Sequence, residues 1–181
     1  MNFLELVNKR RSVRSYDLTR PVEPEKVERC IEAVRLAPSA CNAQPWKLVV
    51  VNDPELKNKV AEAATTKWLG QNLFVKQAPL LVVLVRESPN ITSKLGTVLK
   101  DKPYTIIDVG IATAHFCLQA TEEGLGTCII GWFNEPAVKK LLGIPKAKRA
   151  ELIIAIGYPA KPDARKKIRK PVGEIRSFNK Y

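Results

Sequence analysis

The sequence predicts one domain over residues 1–181 with a layered α/β fold, a central mixed sheet flanked by helices. Three observations predict it. Short Val/Leu/Ile runs alternate with longer stretches of helical periodicity, in the order α, α, β, α, β, α, β, α, β. The apolar runs are continuous, as they are in strands covered on both faces. A chain of 181 residues with 45% hydrophobic side chains can also fill one sizeable core.

Phe3 to Val7 reads as a short amphipathic helix that ends at Lys9-Arg10. Arg11 to Asp17 alternates without helical spacing and is expected to be extended. Pro24 opens the next helix near its first position, with acids in the first turn. Val27, Cys30, Ile31 and Val34 follow the i, i+3, i+4, i+7 spacing of one buried face, and Pro38 stops the helix. Pro38 to Pro45 is a turn with two prolines, no glycine, and Ser39, Asn42 and Gln44 as short polar groups, a composition suited to holding one shape.

Trp46 to Val51 is a strand that Trp46 anchors, and Asp53-Pro54-Glu55 caps a helix through about Thr66. Pro79 to Val85 is a second, wholly apolar strand. Residues 86–103 read as a mobile connection. Tyr104 to Glu123 is a helix apolar nearly all round, suited to a core or a subunit interface, and Gly124 ends it. Leu125 to Gly131 is a strand, Glu135 to Leu142 a short helix, and Glu151 to Gly157 the last strand.

The net charge is +12, from 30 Lys and Arg against 18 Asp and Glu, and it sits near the two ends of the chain. Lys9, Arg10, Arg11 and Arg14 form one cluster; Lys166, Lys167, Arg169 and Lys170 form the core of another. Either alone reads as a solvated face or a nucleic-acid arm, whereas two together can close on one phosphate. No apolar run reaches the ~18 residues of a membrane span. The N-terminus lacks the basic and apolar regions of a secretory signal. Cys30, Cys41, Cys117 and Cys128 carry no C-x-x-C spacing and read as reduced thiols of a cytoplasmic protein. His115 is the one histidine, so no zinc site and no Ser/Cys-His relay are expected. The glycines of Gly124 to Gly131 lead into a strand, the reverse of a dinucleotide fingerprint. Arg and Lys are not interleaved with exposed aromatics, which argues against a nucleic-acid-binding module.

R-R-S-V-R at Arg10 to Arg14, A-P-S-x-x-N-x-Q-P-W at Ala37 to Trp46 and G-L-G-T-C-I-I-G-W-F at Gly124 to Phe133 occur in this order. L-L-G-I-P (Leu141 to Pro145), I-x-I-G-Y-P (Ile154 to Pro159) and R-K-P (Arg169 to Pro171) follow. The ordered set resembles the nitroreductase family of FMN-dependent NAD(P)H oxidoreductases, in a short form. The resemblance implies an α+β sandwich and an intertwined homodimer with FMN at the subunit interface. It places Arg10, Arg11, Ser12 and Arg14 at the cofactor, with Arg10 and Ser12 toward the phosphate and ribityl end. Arg14 is placed at the N1/O2 edge of the ring, where a cation stabilises the charge of the reduced form. Pro38, Ser39, Ala40 and Asn42 are expected to reach the flavin of the partner subunit. Backbone of Ile130, Gly131 and Trp132 faces the N5/O4 edge, and Lys167 and Arg169 take the phosphate.

The implied chemistry is ping-pong hydride transfer from NAD(P)H through flavin N5 to a nitroaromatic, quinone or similar planar acceptor. It requires no catalytic side chain and no metal, nucleic acid or membrane. A dehalogenase or enone reductase of the same fold is the alternative. Two departures stand out. Ala40 occupies a position where some members have Ser, and the 86–103 connection replaces the helical excursion over the active site of larger members. The segment Gln71 to Lys76 is left without an assigned role.

Overall fold

The computed structural model describes residues 1–65, 70–88, 102–161 and 166–181. Helix α1 spans Phe3–Lys9, α2 Pro24–Arg35, α3 Pro54–Ala63, α4 Tyr104–Glu122, α5 Glu135–Leu141 and α6 Val172–Ile175; strands are β1 Trp46–Val51, β2 Leu80–Arg86, β3 Gly126–Ile130 and β4 Arg149–Gly157. The predicted alternation is present, with a short sixth helix added in the C-terminal segment. The expected connection over 86–103 lies mostly outside the described residues.

The four strands run in the order β1-β2-β4-β3. Their pairing is antiparallel throughout, so the expected mixed sheet is corrected. Among the described residues, parallel pairing is confined to an isolated bridge between Ser12 and Thr127. The error has a physical source. A continuous apolar run reports burial on both faces, and antiparallel strands between two helical layers are buried in the same way as parallel ones.

Strand β2 makes this concrete. Leu81, Val83 and Val85 face one core with Val60, Ala61 and Ala64 from α3 and Val138 from α5. Leu80, Val82 and Leu84 face a second core with Val27, Cys30 and Val34 from α2 and Val109, Ala112, Phe116 and Cys117 from α4. Trp46 packs at the margin of that second core, as expected of a strand anchor. The period of two along one strand therefore feeds two cores, and the domain is three layers.

Capping fixes the helix starts. Asn2 and Glu5 form a reciprocal capping box on α1, with Glu5 N–H donating to Asn2 Oδ1 at 2.9 Å and Asn2 N–H to Glu5 Oε2 at 3.0 Å. Asp53 Oδ1 accepts from Leu56 N–H at 2.7 Å, with Pro54 opening α3.

Among the described residues, helices α1 and α4 carry apolar side chains that this chain leaves uncovered, as does the short α6 with Val172 and Ile175. Phe3 (66% exposed) and Leu4 (78%) lie on α1, where no residue is buried. On α4, Ile106, Ile107, Gly110 and Ala114 form an exposed face opposite the buried one, so the helix expected in a core or an interface has a side for each. His115 belongs to the same helix and its Nδ1 lies 2.9 Å from Ile111 O, a local backbone contact.

Candidate functional site

The first basic segment is mounted on the sheet. Val13 N–H donates to Thr127 O at 2.9 Å, alongside the Ser12–Thr127 bridge. Close approach is possible because residue 126 is glycine: a Cβ there would lie 2.6 Å from Val13 Cγ2. Tyr16 is buried, with its hydroxyl 2.9 Å from Val13 O and 3.1 Å from Ala155 O. Burial drives its phenol pKa upward, so the ring stays neutral and donates. Asp17 N–H to Tyr158 O (2.9 Å) and Ala160 N–H to Ser15 O (3.0 Å) complete the lacing. The extended reading of Arg11 to Asp17 is therefore correct, and partners on β3 and β4 hold it.

The C-terminal basic segment returns to this strap. Arg10, Arg11, Ser12, Arg14, Lys166, Lys167, Ile168 and Arg169 line a single cavity of about 290 Å³. Lys167 Nζ donates to Val7 O at 2.6 Å, which ties the segment to α1. Its pKa is lowered, first by partial burial and then by the cations of Arg10, Arg169 and Arg11. Burial also raises the Cys128 thiol, with Arg14 and Arg10 opposing that rise, so both guanidinium fields reach β3. Arg14 also lies 5.9 Å from the centroid of the Phe74 ring.

None of Arg10, Arg14, Lys167 and Arg169 has a carboxylate partner among the described residues. Six cationic side chains converge on one small cavity, and the charges of Arg10, Arg169 and Arg11 add to the cost of charging Lys167. A multivalent anion with several acceptor oxygens relieves that cost, and guanidinium forks suit a phosphate. The cradle thus fits a phosphate-bearing cofactor. Lys166 is the addition that the structure makes to the expected set; it was visible as part of the lysine run.

The loop from Pro38 to Gln44 lies elsewhere. Ala40–Asn42 form a single 3-10 turn, and Cys41, Asn42 and Gln44 have φ of 51°, 50° and 45°. Left-handed backbone costs a non-glycine residue roughly 1–2 kcal/mol, so the loop holds its shape against strain. Ser39 Oγ accepts from Gln44 N–H at 2.9 Å, and Gln44 Nε2 donates to Asn42 Oδ1 at 2.9 Å. Ala40 N–H donates to Asp108 Oδ1 on α4 at 3.1 Å. None of Pro38, Ser39, Ala40 and Asn42 lines the basic cavity of its own subunit.

Ile130, Gly131 and Trp132 continue from β3 at the end of the sheet. Ile130 is buried, whereas Trp132 is 70% exposed. The unassigned segment 71–76 acquires a role here. Asn72, itself left-handed at φ 61°, donates from Nδ2 to both Ala64 O and Trp132 O at 3.1 Å. Asn72 thereby fixes the turn that carries Trp132, and Phe74 two residues on meets Arg14. A lone Asn before an apolar stretch was the only hint of this in the sequence.

A basic cradle strapped along the β3 edge of an antiparallel sheet between helical layers defines an α+β protein built to hold an anionic cofactor. Residues 7–158 match the Nitroreductase family, and the chain belongs to that family. A putative NADH dehydrogenase/NAD(P)H nitroreductase of Archaeoglobus fulgidus is 33% identical over 162 residues, covering 86% of this chain and 84% of the relative. An iodotyrosine deiodinase of Thermotoga neapolitana is 27% identical over 172 residues, covering 87% and 89%. The solved structure of an FMN-dependent nitroreductase from Clostridium difficile R20291 superposes with a TM-score of 0.77 at 29% identity, over 99% of this chain and 100% of that one.

Proposed function

We propose that the protein is an FMN-dependent NAD(P)H oxidoreductase that works as a homodimer in the cytoplasm. The observation that carries this is the cavity where Arg10, Ser12, Arg14, Lys167 and Arg169 meet. Arg10, Ser12, Lys167 and Arg169 hold the FMN phosphate and the adjoining ribityl hydroxyls. Arg14, held against Phe74, places a cation at the N1/O2 edge of the ring. Backbone groups of Ile130, Gly131 and Trp132 meet the N5/O4 edge, in a turn that Asn72 holds in place. When bound, the flavin accepts hydride from NAD(P)H and passes it, in a second half-reaction, to a nitroaromatic, quinone or similar planar acceptor.

The second subunit is needed for two reasons. The apolar faces of α1 and α4 require a cover, and a second copy supplies one. The Pro38–Gln44 loop stands away from its own cradle, so its Pro38, Ser39, Ala40 and Asn42 serve the cradle of the other subunit. Six of the excess cations then belong to the cofactor cradle, with no call on nucleic acid.

A second reading, reductive dehalogenation on the same fold, is favoured by the likeness to the deiodinase over most of both chains. Stopped-flow reduction of the bound flavin by NADH and by NADPH, followed by reoxidation with a nitroaromatic, a quinone, an enone and a halotyrosine, separates the two. Fast reoxidation by the first two supports the oxidoreductase reading. Halide release with slow nitroaromatic turnover replaces it with the dehalogenase. A protein that binds no FMN refutes both.

A further inference from the structure

Asp108 is a carboxylate that the flavin chemistry leaves unused, and its surroundings are unusual. It is 3% exposed, one turn into α4, beside hydrophobic neighbours. One oxygen accepts the Ala40 N–H at 3.1 Å. The other, Oδ2, is sealed from solvent and has no hydrogen-bond partner among the described residues. Burying a polar side chain costs free energy unless its atoms are hydrogen-bonded, and one backbone N–H leaves Oδ2 unsatisfied. The position therefore carries a demand beyond local satisfaction.

The demand is visible in the loop. The Ser39–Gln44 and Gln44–Asn42 contacts close the loop on itself and leave its placement on the domain undetermined. The Asp108 bond joins the middle of the loop to the helix packed beneath it. Ala40 N–H is the group immediately before the left-handed residues Cys41 and Asn42, so the tether holds the turn where its strain begins. Asp108 is buried, so breaking this bond leaves a buried group unsatisfied, which suits a tether that must resist relaxation. Helix α4 also carries the exposed Ile106, Ile107, Gly110 and Ala114 face, so the residue that places the loop belongs to the element proposed to meet the other subunit.

We propose that Asp108 is a positioning residue: through the Ala40 N–H it sets the Pro38–Gln44 loop in the conformation that walls the flavin of the neighbouring subunit. This rests on the cross-subunit reading given above. Two variants with the same branching at Cγ and the same number of side-chain heavy atoms separate its acceptor role from its packing role. Asp108→Asn keeps an oxygen for Ala40 N–H, and Asp108→Leu removes it. For each, FMN affinity is measured by fluorescence quenching, flavin environment by visible circular dichroism at saturating FMN, assembly by sedimentation, and stability by thermal unfolding.

The expected result is a dimer for both variants. Asp108→Leu weakens FMN about tenfold and alters the visible dichroic band. Asp108→Asn stays within about threefold of the parent with the parental band. Equal effects of the two variants, or a Leu variant with native affinity and spectrum, overturn the proposal. So does a monomeric Leu variant, which would make Asp108 an assembly residue. Asn42→Ala is the control for the parent reading. If it weakens FMN and Asp108→Leu does not, the positioning role alone falls. If Asn42→Ala, Ser39→Ala and Asp108→Leu all leave the flavin untouched, the loop is no wall and the cross-subunit reading falls with the proposal.

Discussion

The basic cradle and the Pro38–Gln44 loop solve opposite problems. The cradle is dense in charge and firm in support: six cations gather around one cavity, on a strap locked by backbone hydrogen bonds to β3 and to the residues that follow β4. The loop is nearly neutral and strained, with three left-handed residues held by side-chain contacts and one tether. The cradle gathers its cations from two segments of one chain, which is enough charge to hold an anion. The loop contributes little to its own subunit, and its strain makes sense where a second chain uses the result. The difference teaches that the cofactor's affinity and its enclosure are placed on separate parts of the fold.

That division predicts a steep hierarchy of effects. Replacing Arg10 and Arg169 together with Ala should weaken FMN by at least about 100-fold, since each charge-assisted bond is worth roughly 1.5–3 kcal/mol and 1.4 kcal/mol is one decade. Equilibrium dialysis checks it, and unchanged affinity would move the phosphate out of the cradle. A smaller effect follows from Lys167. Its pKa in the free protein lies below the ordinary 10.5 because of burial and then the Arg10, Arg169 and Arg11 cations. A bound phosphate supplies the missing countercharge and raises that pKa again. The complex therefore holds a proton that the free protein loses first, so affinity is fully present below the free-state pKa and declines as pH rises through it. Affinity measured from neutral into alkaline pH should fall by several-fold in the parent protein and more weakly in Lys167→Arg, whose charge persists. Parallel profiles would remove Lys167 from the phosphate.

Much of this was legible in sequence because it is local or periodic. The face of α2 and the double burial of β2 follow from spacing alone, whereas α4, apolar nearly all round in sequence, shows its exposed side only in the structure. The convergence of Arg10 to Arg14 with Lys167 and Arg169 was suggested by like charge at both ends of the chain. Strand direction was not legible, since the apolar run of β2 encodes burial on two faces and nothing about polarity of the chain. The roles of Asn72 and Asp108 were hidden for another reason. Each acts through a backbone group far away in sequence, Asn72 on Trp132 O and Asp108 on Ala40 N–H, and no local pattern marks such a contact. Gly126 belongs with them: its need to be glycine comes from Val13, packed across from it.

The smallest effect tests the comparison most directly. Ser39→Ala removes the acceptor for Gln44 N–H and should weaken FMN about fivefold, the worth of one hydrogen bond of roughly 1 kcal/mol. Its diagnostic value lies in mixed dimers. A subunit carrying Ser39→Ala has an intact cradle, and a subunit carrying Arg10→Ala and Arg169→Ala has an intact loop. If the loop serves the other subunit, pairing the two kinds of chain places the intact loop over the intact cradle. Each mixed dimer then regains one site of parental affinity, while its other site carries every defect. If the loop serves its own subunit, no parental site returns, and the stronger site keeps the fivefold loss. Titrating FMN into tagged, purified mixed dimers distinguishes these outcomes by the affinity of the first equivalent bound. A fivefold-weakened first equivalent would place loop and cradle in the same chain's site and dissolve the separation drawn between them.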